Sequence, residues 1–351
     1  MTETKATRVL VVDDEPSILE LLSTALVALG GHDVSTASSG QEALKLMGEG
    51  RPRFDLVLLD IQMPEMNGVD VCARIRSTAG YRDTPVIMLT AMSQMDYVEK
   101  AFLAGATDYV TKPFNFEDLR NRIANAFRAS ETKRAAAEGG ELAPLVGRAR
   151  SERIKFDAKL DFTEFNRFLD TDRFDNYVRQ MASSRAPQTS AFAVKVSNGY
   201  YLHRALSSEE FHACMRNVAL LLSEVTEKMG SLVSYRGQGI FLCVEYGNRL
   251  SDTETIETFL NSEIDTHGEK KTRPKIVVSP HAELKQNDTA SACVLMNDAI
   301  TKVEARDTAA AETVAGDQAP SSEMRKAVAA GPAANDTRSY RTLLSSVLRG
   351  F

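Results

Sequence analysis

The chain has 351 residues, enough for two globular domains with linkers, and its net charge of −6 leaves no global basic field to draw it onto nucleic acid. No stretch reaches 18 uninterrupted apolar residues and the opening MTETKATRVL carries no apolar signal core, so the expectation is a soluble, cytoplasmic protein that does not enter a membrane. Cys72, Cys214, Cys243 and Cys293 lie far apart with no CxxC pair, which fits small core residues and argues against disulfides or a zinc site.

In chain order, four short apolar runs come first, each ending on a polar residue. They are RVLVVDD ending at Asp13 and Asp14, FDLVLLD at Asp60, PVIMLT at Thr90 and ATDYVTK at Lys112. The runs do not alternate, as suits strands buried on both faces of a parallel sheet. Between the first two, Ile18, Leu21, Leu22, Ala25, Leu26 and Leu29 form a helical stripe, with Pro16 in its first turn and Gly30 and Gly31 stopping it. Leu119, Ile123, Ala126 and Phe127 give the last helix of the segment its buried face. Strands alternating with helices predict an α/β domain: a doubly wound parallel sheet with right-handed crossovers.

Ligands bind such sheets beyond the carboxyl ends of the strands. Three carboxylates, a hydroxyl and an ammonium therefore meet at one rim. Crowded carboxylates call for a divalent cation, and Mg²⁺ is satisfied by one or two of them with waters and a phosphate. A carboxylate also serves as a nucleophile toward phosphorus, with metal and lysine neutralising the charge on the transferring group.

In order and spacing, the acid pair Asp13–Asp14, the segment LLDIQMPEMNG, the LTA turn at Thr90 and YVTKPF resemble the receiver domain of two-component response regulators. The resemblance implies a flavodoxin-like, five-stranded domain over residues 1–130. It makes Asp60 the phospho-acceptor and Mg²⁺ the cofactor, held by Asp14 directly, Asp13 partly through water, Asp60, and the carbonyl of Gln62. Thr90 and Lys112 would hold the phosphoryl oxygens, Tyr109 would swing inward on activation as the partner of Thr90 in the switch, and the bond before Pro113 would be cis. Implied partners are a histidine kinase or phosphotransfer protein, and a second copy through the receiver. Gln62 and Met92 stand where the family tunes water access. Met92 cannot hydrogen-bond a water into place, so the phosphorylated state is expected to live minutes or longer; decay within seconds, followed by mass spectrometry, would contradict this.

Residues 131–154, rich in Ala, Glu, Arg and Gly, read as a linker, helical to Glu138. A second domain is expected over 155–306, α+β, with the order strand, helix, strand pair, helix, strand, helix. SAFAVKV is its first strand, and a helix capped by Ser207 or Ser208 carries Phe211, Met215, Val218, Leu222, Val225 and Met229 up to Gly230. SLVSYR and IFLCVEY flank a GQG turn, a hairpin signal. This order, the hairpin YRGQGIFLCVEYGN, the opening RFDNYVRQM and the closing LMNDAITKVEARD resemble the GGDEF domain of diguanylate cyclases.

That resemblance implies lost chemistry. Gly237, Gln238, Gly239, Ile240 and Phe241 replace the signature, so both its acids are gone. Lys195 stands near the first-strand metal aspartate, and the RxxD product site is missing. Without carboxylates there is no cage for Mg²⁺, and an isoleucine does no metal or base work.

Residues 307–338, Ala-rich and polar, are expected to be disordered, and 339–351 to form a terminal amphipathic helix. Its apolar face holds Tyr340, Leu343, Leu344, Val347, Leu348 and Phe351, which would dock on its own domain, a partner protein or a membrane surface. The expectation is a phospho-switched regulator, not an enzyme, whose output is contact with an unidentified downstream protein. The alternative is a nucleotide or cyclic di-GMP output, active or ligand-sensing. A DNA-binding output would need a basic helix-turn-helix after the receiver, and none is legible in 155–306.

Overall fold

The computed structural model describes residues 7–48, 52–91, 95–138, 153–183, 189–246, 250–266, 272–283 and 291–317. They belong to two compact units, Met1–Glu152 with Asn166–Gln180, and Arg153–Phe165 with Met181–Phe351.

The first unit alternates β1 (Arg8–Val12), α1 (Pro16–Gly30), β2 (Asp33–Ala37), α2 (Gly40–Leu46), β3 (Leu56–Asp60), α3 (Gly68–Ser77), β4 (Val86–Thr90), α4 (Met95–Leu103), β5 (Asp108–Thr111) and α5 (Phe116–Glu138). The sheet is five-stranded, ordered β2-β1-β3-β4-β5, and all its pairs are parallel. This is the doubly wound sheet that the apolar runs predict. Val9, Val11, Leu56, Leu58, Ile87 and Leu89 are buried in one cluster with Leu22 and Leu26 of α1 and Leu119, Ile123 and Ala126 of α5. Successive strands lie on opposite sides of β1, so the strand order reverses at the carboxyl ends of β1 and β3.

One stripe position differs from expectation. Leu21 is 46% exposed, while Leu19 packs with Ile18 against the core. At about 100° per residue, the buried face centres on Ile18, Leu22, Leu26 and Leu19, and Leu21 falls outside it. Gly31 closes the helix at φ 61, with its N–H on the carbonyl of Val27.

Next in the chain is α6 (Thr171–Ser183), whose Phe174, Tyr177 and Val178 are buried. The division between the units falls inside it, after Gln180. This departs from a second domain beginning at residue 155. Residues 166–180 count with the first unit because polar and aromatic side chains of the segment bond to α4 and to the start of β5.

The second unit contains β6 (Thr189–Val196), α7 (Gly199–Ala205), α8 (Ser208–Met229), β7 (Leu232–Tyr235), β8 (Ile240–Tyr246), α9 (Thr253–Thr266), β9 (Ile276–Val278), β10 (Ala282–Glu283) and α10 (Ser291–Asp317). Its antiparallel sheet runs β10-β6-β8-β7, with β9 also paired to β6. The elements anticipated from sequence are present, and the short α7 and β10 are additions. Ser207 and Glu210 form a reciprocal capping box on α8, and Gly230 ends it at φ 76.

α10 continues past Arg306 to Asp317, so the start of the stretch expected to be disordered is helical. Its alanines favour helix, and Asp307 is anchored by an ion pair to Lys195 at 2.7 Å. Met92 and the stretch with Leu343, Leu344, Val347, Leu348 and Phe351 lie outside the described residues. No helix among the described residues is long and apolar enough to cross a membrane.

Candidate functional site

Each strand end delivers the side chain that the sequence pattern assigns to it. Asp13 follows β1 and is fully buried, Asp60 closes β3 at 3% exposure, Thr90 closes β4 at 5%, and Lys112 follows β5. The Lys112 ammonium lies 2.7 Å from Asp13 Oδ2 and 2.7 Å from Asp60 Oδ1, so one cation serves two buried carboxylates. Asp13 Oδ1 accepts from the Glu15 N–H at 3.0 Å. The Lys112 N–H donates to the Thr90 carbonyl at 2.7 Å, which ties the ends of β4 and β5. Asp14 and Gln62 are exposed on the same rim. The Lys112–Pro113 peptide is cis.

The loop after β3 needs its glycine. A Cβ on Gly68 would stand 2.0 Å from the Asp60 carbonyl oxygen, so α3 starts directly against the backbone of the site.

The electrostatics follow from burial. Desolvation pushes the Asp60 carboxyl above its ordinary value against the pull of Lys112, and Asp13 pushes the same way. Burial opposes the Lys112 ammonium, but its bonds to Asp13 and Asp60 outweigh this and hold it above the usual lysine value. Two buried carboxylates on one ammonium, with Asp14 beside them, leave an excess of negative charge. This all-oxygen donor set fits a hard divalent cation. Among the described residues no group of three or more His, Cys, Asp or Glu side chains is placed to hold a metal ion by itself.

Tyr109 is only 7% exposed, its ring edge-on to Phe102 of α4 at 6.4 Å, so the aromatic expected to swing inward is already inside. Its neighbour Asp108 was not among the residues singled out from sequence. Asp108 accepts from Arg122 Nη1 at 2.9 and 3.1 Å, from Gln180 Nε2 at 2.8 Å and from the Tyr109 N–H at 2.7 Å. Burial pushes its carboxyl up, and Arg122 opposes that. Breaking such a pair from one side strands a buried charge. Arg122→Ala is therefore expected to lower stability by about 3–5 kcal/mol, read by chemical denaturation. A loss below about 1 kcal/mol would show the pair to be solvated.

In the second unit the hairpin turn is closed by the chain itself. Gly237, Gln238 and Gly239 all have positive φ, at 86, 55 and 73. The Gln238 N–H donates to the Phe156 carbonyl at 2.9 Å, and the Gly239 N–H to the Tyr235 hydroxyl at 3.1 Å. A Cβ on Gly237 would lie 2.7 Å from the Asp157 carbonyl. Ile240 and Phe241 are buried, so the turn offers no carboxylate. Gly237→Ala is expected to cost about 1–3 kcal/mol, seen as a lower Tm, because it combines backbone strain with that clash; an unchanged Tm would mean that the turn relaxes freely.

The response regulator receiver domain family matches residues 9–124, the stretch that carries all five strand ends. These residues are a response regulator receiver domain. Relatives of the receiver include the DNA-binding dual master transcriptional regulator RpaA of Synechocystis, 36% identical over 38% of this chain and 55% of its own length. The DNA-binding response regulator MtrA of Mycolicibacterium smegmatis is 41% identical over 38% of this chain and 56% of its own. Among solved structures, the chemotaxis protein CheY4 of Vibrio cholerae is 34% identical, covers 34% of this chain and 98% of its own, and has a TM-score of 0.33. The chain thus spans about half the length of those two curated relatives.

Proposed function

We propose that this protein is a cytoplasmic, phospho-switched regulator in which Asp60 accepts a phosphoryl group from a histidine kinase or phosphotransfer protein. The observation that carries this reading is the Lys112 ammonium at 2.7 Å from both Asp60 and Asp13, at the point where the strand order reverses. An Asp60 carboxylate oxygen attacks phosphorus. The phosphorus–nitrogen bond of the donor breaks, and its electron pair stays on the imidazole, which then takes a proton. Lys112 turns from Asp13 to the incoming phosphoryl oxygens, and the Thr90 hydroxyl donates to one of them. Asp13, Asp14, Asp60 and the Gln62 carbonyl would hold Mg²⁺, which supplies neutralisation of the transferring charge.

For the second unit we propose a degenerate GGDEF-like domain that reads out as a protein surface, without making a cyclic nucleotide. The antiparallel β7–β8 hairpin between α8 and α9, and β6 ahead of them, support the likeness. The absence of carboxylates on the 237–241 turn and the pairing of Lys195 with Asp307 argue against two-metal chemistry. Two relatives bind DNA by name, and each matches 38% of this chain; we propose a protein output, with homodimerisation through the receiver, because no basic helix-turn-helix is legible in 155–306.

The test is incubation with phosphoramidate and Mg²⁺, followed by intact mass spectrometry. A gain of one phosphoryl group, removable by hydroxylamine, is expected, and no gain overturns the reading. Incubation with GTP and Mg²⁺ is expected to give no cyclic di-GMP; its appearance would overturn the degenerate assignment.

A further inference from the structure

The receiver carries a segment of the chain that the phosphoryl chemistry leaves unexplained. Residues 166–180 dock on α4 and on the start of β5. Asn176 Nδ2 donates to the Thr107 carbonyl at 2.7 Å, Gln180 Nε2 donates to Asp108 Oδ1 at 2.8 Å, and Arg167 pairs with Glu99 of α4. The Tyr177 ring meets Phe102 edge-on at 5.5 Å, and Phe102 meets Tyr109 in the same way. The docking partners and the ammonium of the site thus share one short strand. Thr107, Asp108 and Tyr109 lie at one end of it and Lys112 just past the other, roughly 13 Å apart at about 3.3 Å per residue.

We propose that helix α6 is the receiver's own docked ligand, seated while Asp60 is unmodified and released when Asp60 is phosphorylated. The proposal rests on the reading of Asp60 as phospho-acceptor. In the unmodified site Lys112 is shared between Asp13 and Asp60. A phosphoryl group adds about three acceptor oxygens within reach of that ammonium, so Lys112 leaves Asp13 and draws the end of β5 with it. Thr90 moves in concert, because its carbonyl already holds the Lys112 N–H. Hydrogen bonds of 2.7–2.8 Å lose most of their strength when stretched beyond about 3.5 Å, so a shift of under 1 Å along β5 breaks the grip of Asn176 and Gln180. Asp108 keeps Arg122 after release, so undocking strands no charge. The freed face offers the edge of Phe102 and the Asp108–Arg122 pair to a protein partner.

The test is hydrogen exchange of the full chain, in Mg²⁺ alone and in Mg²⁺ with beryllofluoride as a stand-in for the phosphoryl group. Slower exchange around Asp60 with exchange about tenfold faster in peptides of 171–180 is the expected result. Slower exchange around Asp60 with 171–180 unchanged or further protected overturns the release while sparing the acceptor assignment. No protection around Asp60 overturns both. Coupling is reciprocal, so the double variant Asn176→Ala/Gln180→Ala should bind beryllofluoride about five- to tenfold more tightly than the parent. Equal or weaker binding by this variant counts against the proposal, since a merely structural clasp would leave the affinity alone.

Discussion

Asp60→Ala is expected to lose phosphoryl incorporation below detection while keeping the fold. Loss of label would reflect chemistry, since the substitution relieves the site: Lys112 still pairs with Asp13, and the carboxyl that burial pushes up is gone. Stability should be unchanged or higher, because two nearly buried carboxylates no longer share one ammonium. The neighbouring acids are poorly placed as substitutes. Asp13 is fully buried, with one oxygen on Lys112 and the other on the Glu15 N–H, and Asp14 is exposed to solvent. Intact mass spectrometry after phosphoramidate treatment is the measurement, and residual stoichiometric labelling of the variant would remove Asp60 from the acceptor role.

Lys112→Ala is expected to have the second large effect, on stability and on switching together. Asp13 and Asp60 would face each other in a site where Lys112 is their shared counter-ion, at side-chain exposures of 0% and 4%. Breaking a buried pair in this way costs about 3–5 kcal/mol, which chemical denaturation in chelator should show. Mg²⁺ at a hundredfold excess over its dissociation constant should return up to about 2.7 kcal/mol, since it binds the folded state alone. A stability in chelator equal to that of the parent would mean that the two carboxylates do not depend on the lysine. The variant is expected to label, more slowly, and to keep α6 seated. Moving a switch from 1:99 to 99:1 takes about 5.5 kcal/mol, and a charged hydrogen bond gives about 1.5–3 kcal/mol. Thr90 alone therefore falls short, and the lysine is needed.

The receiver and its site were legible because the signals are local. A short apolar run announces a strand buried on both faces, and the residue that closes it sits at the carboxyl edge whatever the rest of the chain does. Asp13, Asp60, Thr90 and Lys112 were placed by that rule, and Lys112 then bridges the two acids. The hairpin and α8 of the second unit were legible for the same reason, through the turn glycines and the Ser207–Glu210 box.

What stayed hidden depends on partners far apart in sequence. No periodicity joins Gln180 to Asp108, Asn176 to Thr107 or Lys195 to Asp307, because a single polar contact leaves no repeat in either segment. The stripe of α1 was readable, but the outward turn of Leu21 was set by which side of the helix meets the sheet. RFDNYVRQM announces a helix, and its amphipathic pattern does not say which body will cover it. The sequence by itself determined the strands of the receiver, the polar side chains at their ends and the glycine-flanked hairpin turn of the second unit. Only the tertiary structure decided that residues 166–180 belong with the receiver, since long-range hydrogen bonds and ring contacts form where three-dimensional packing brings them together.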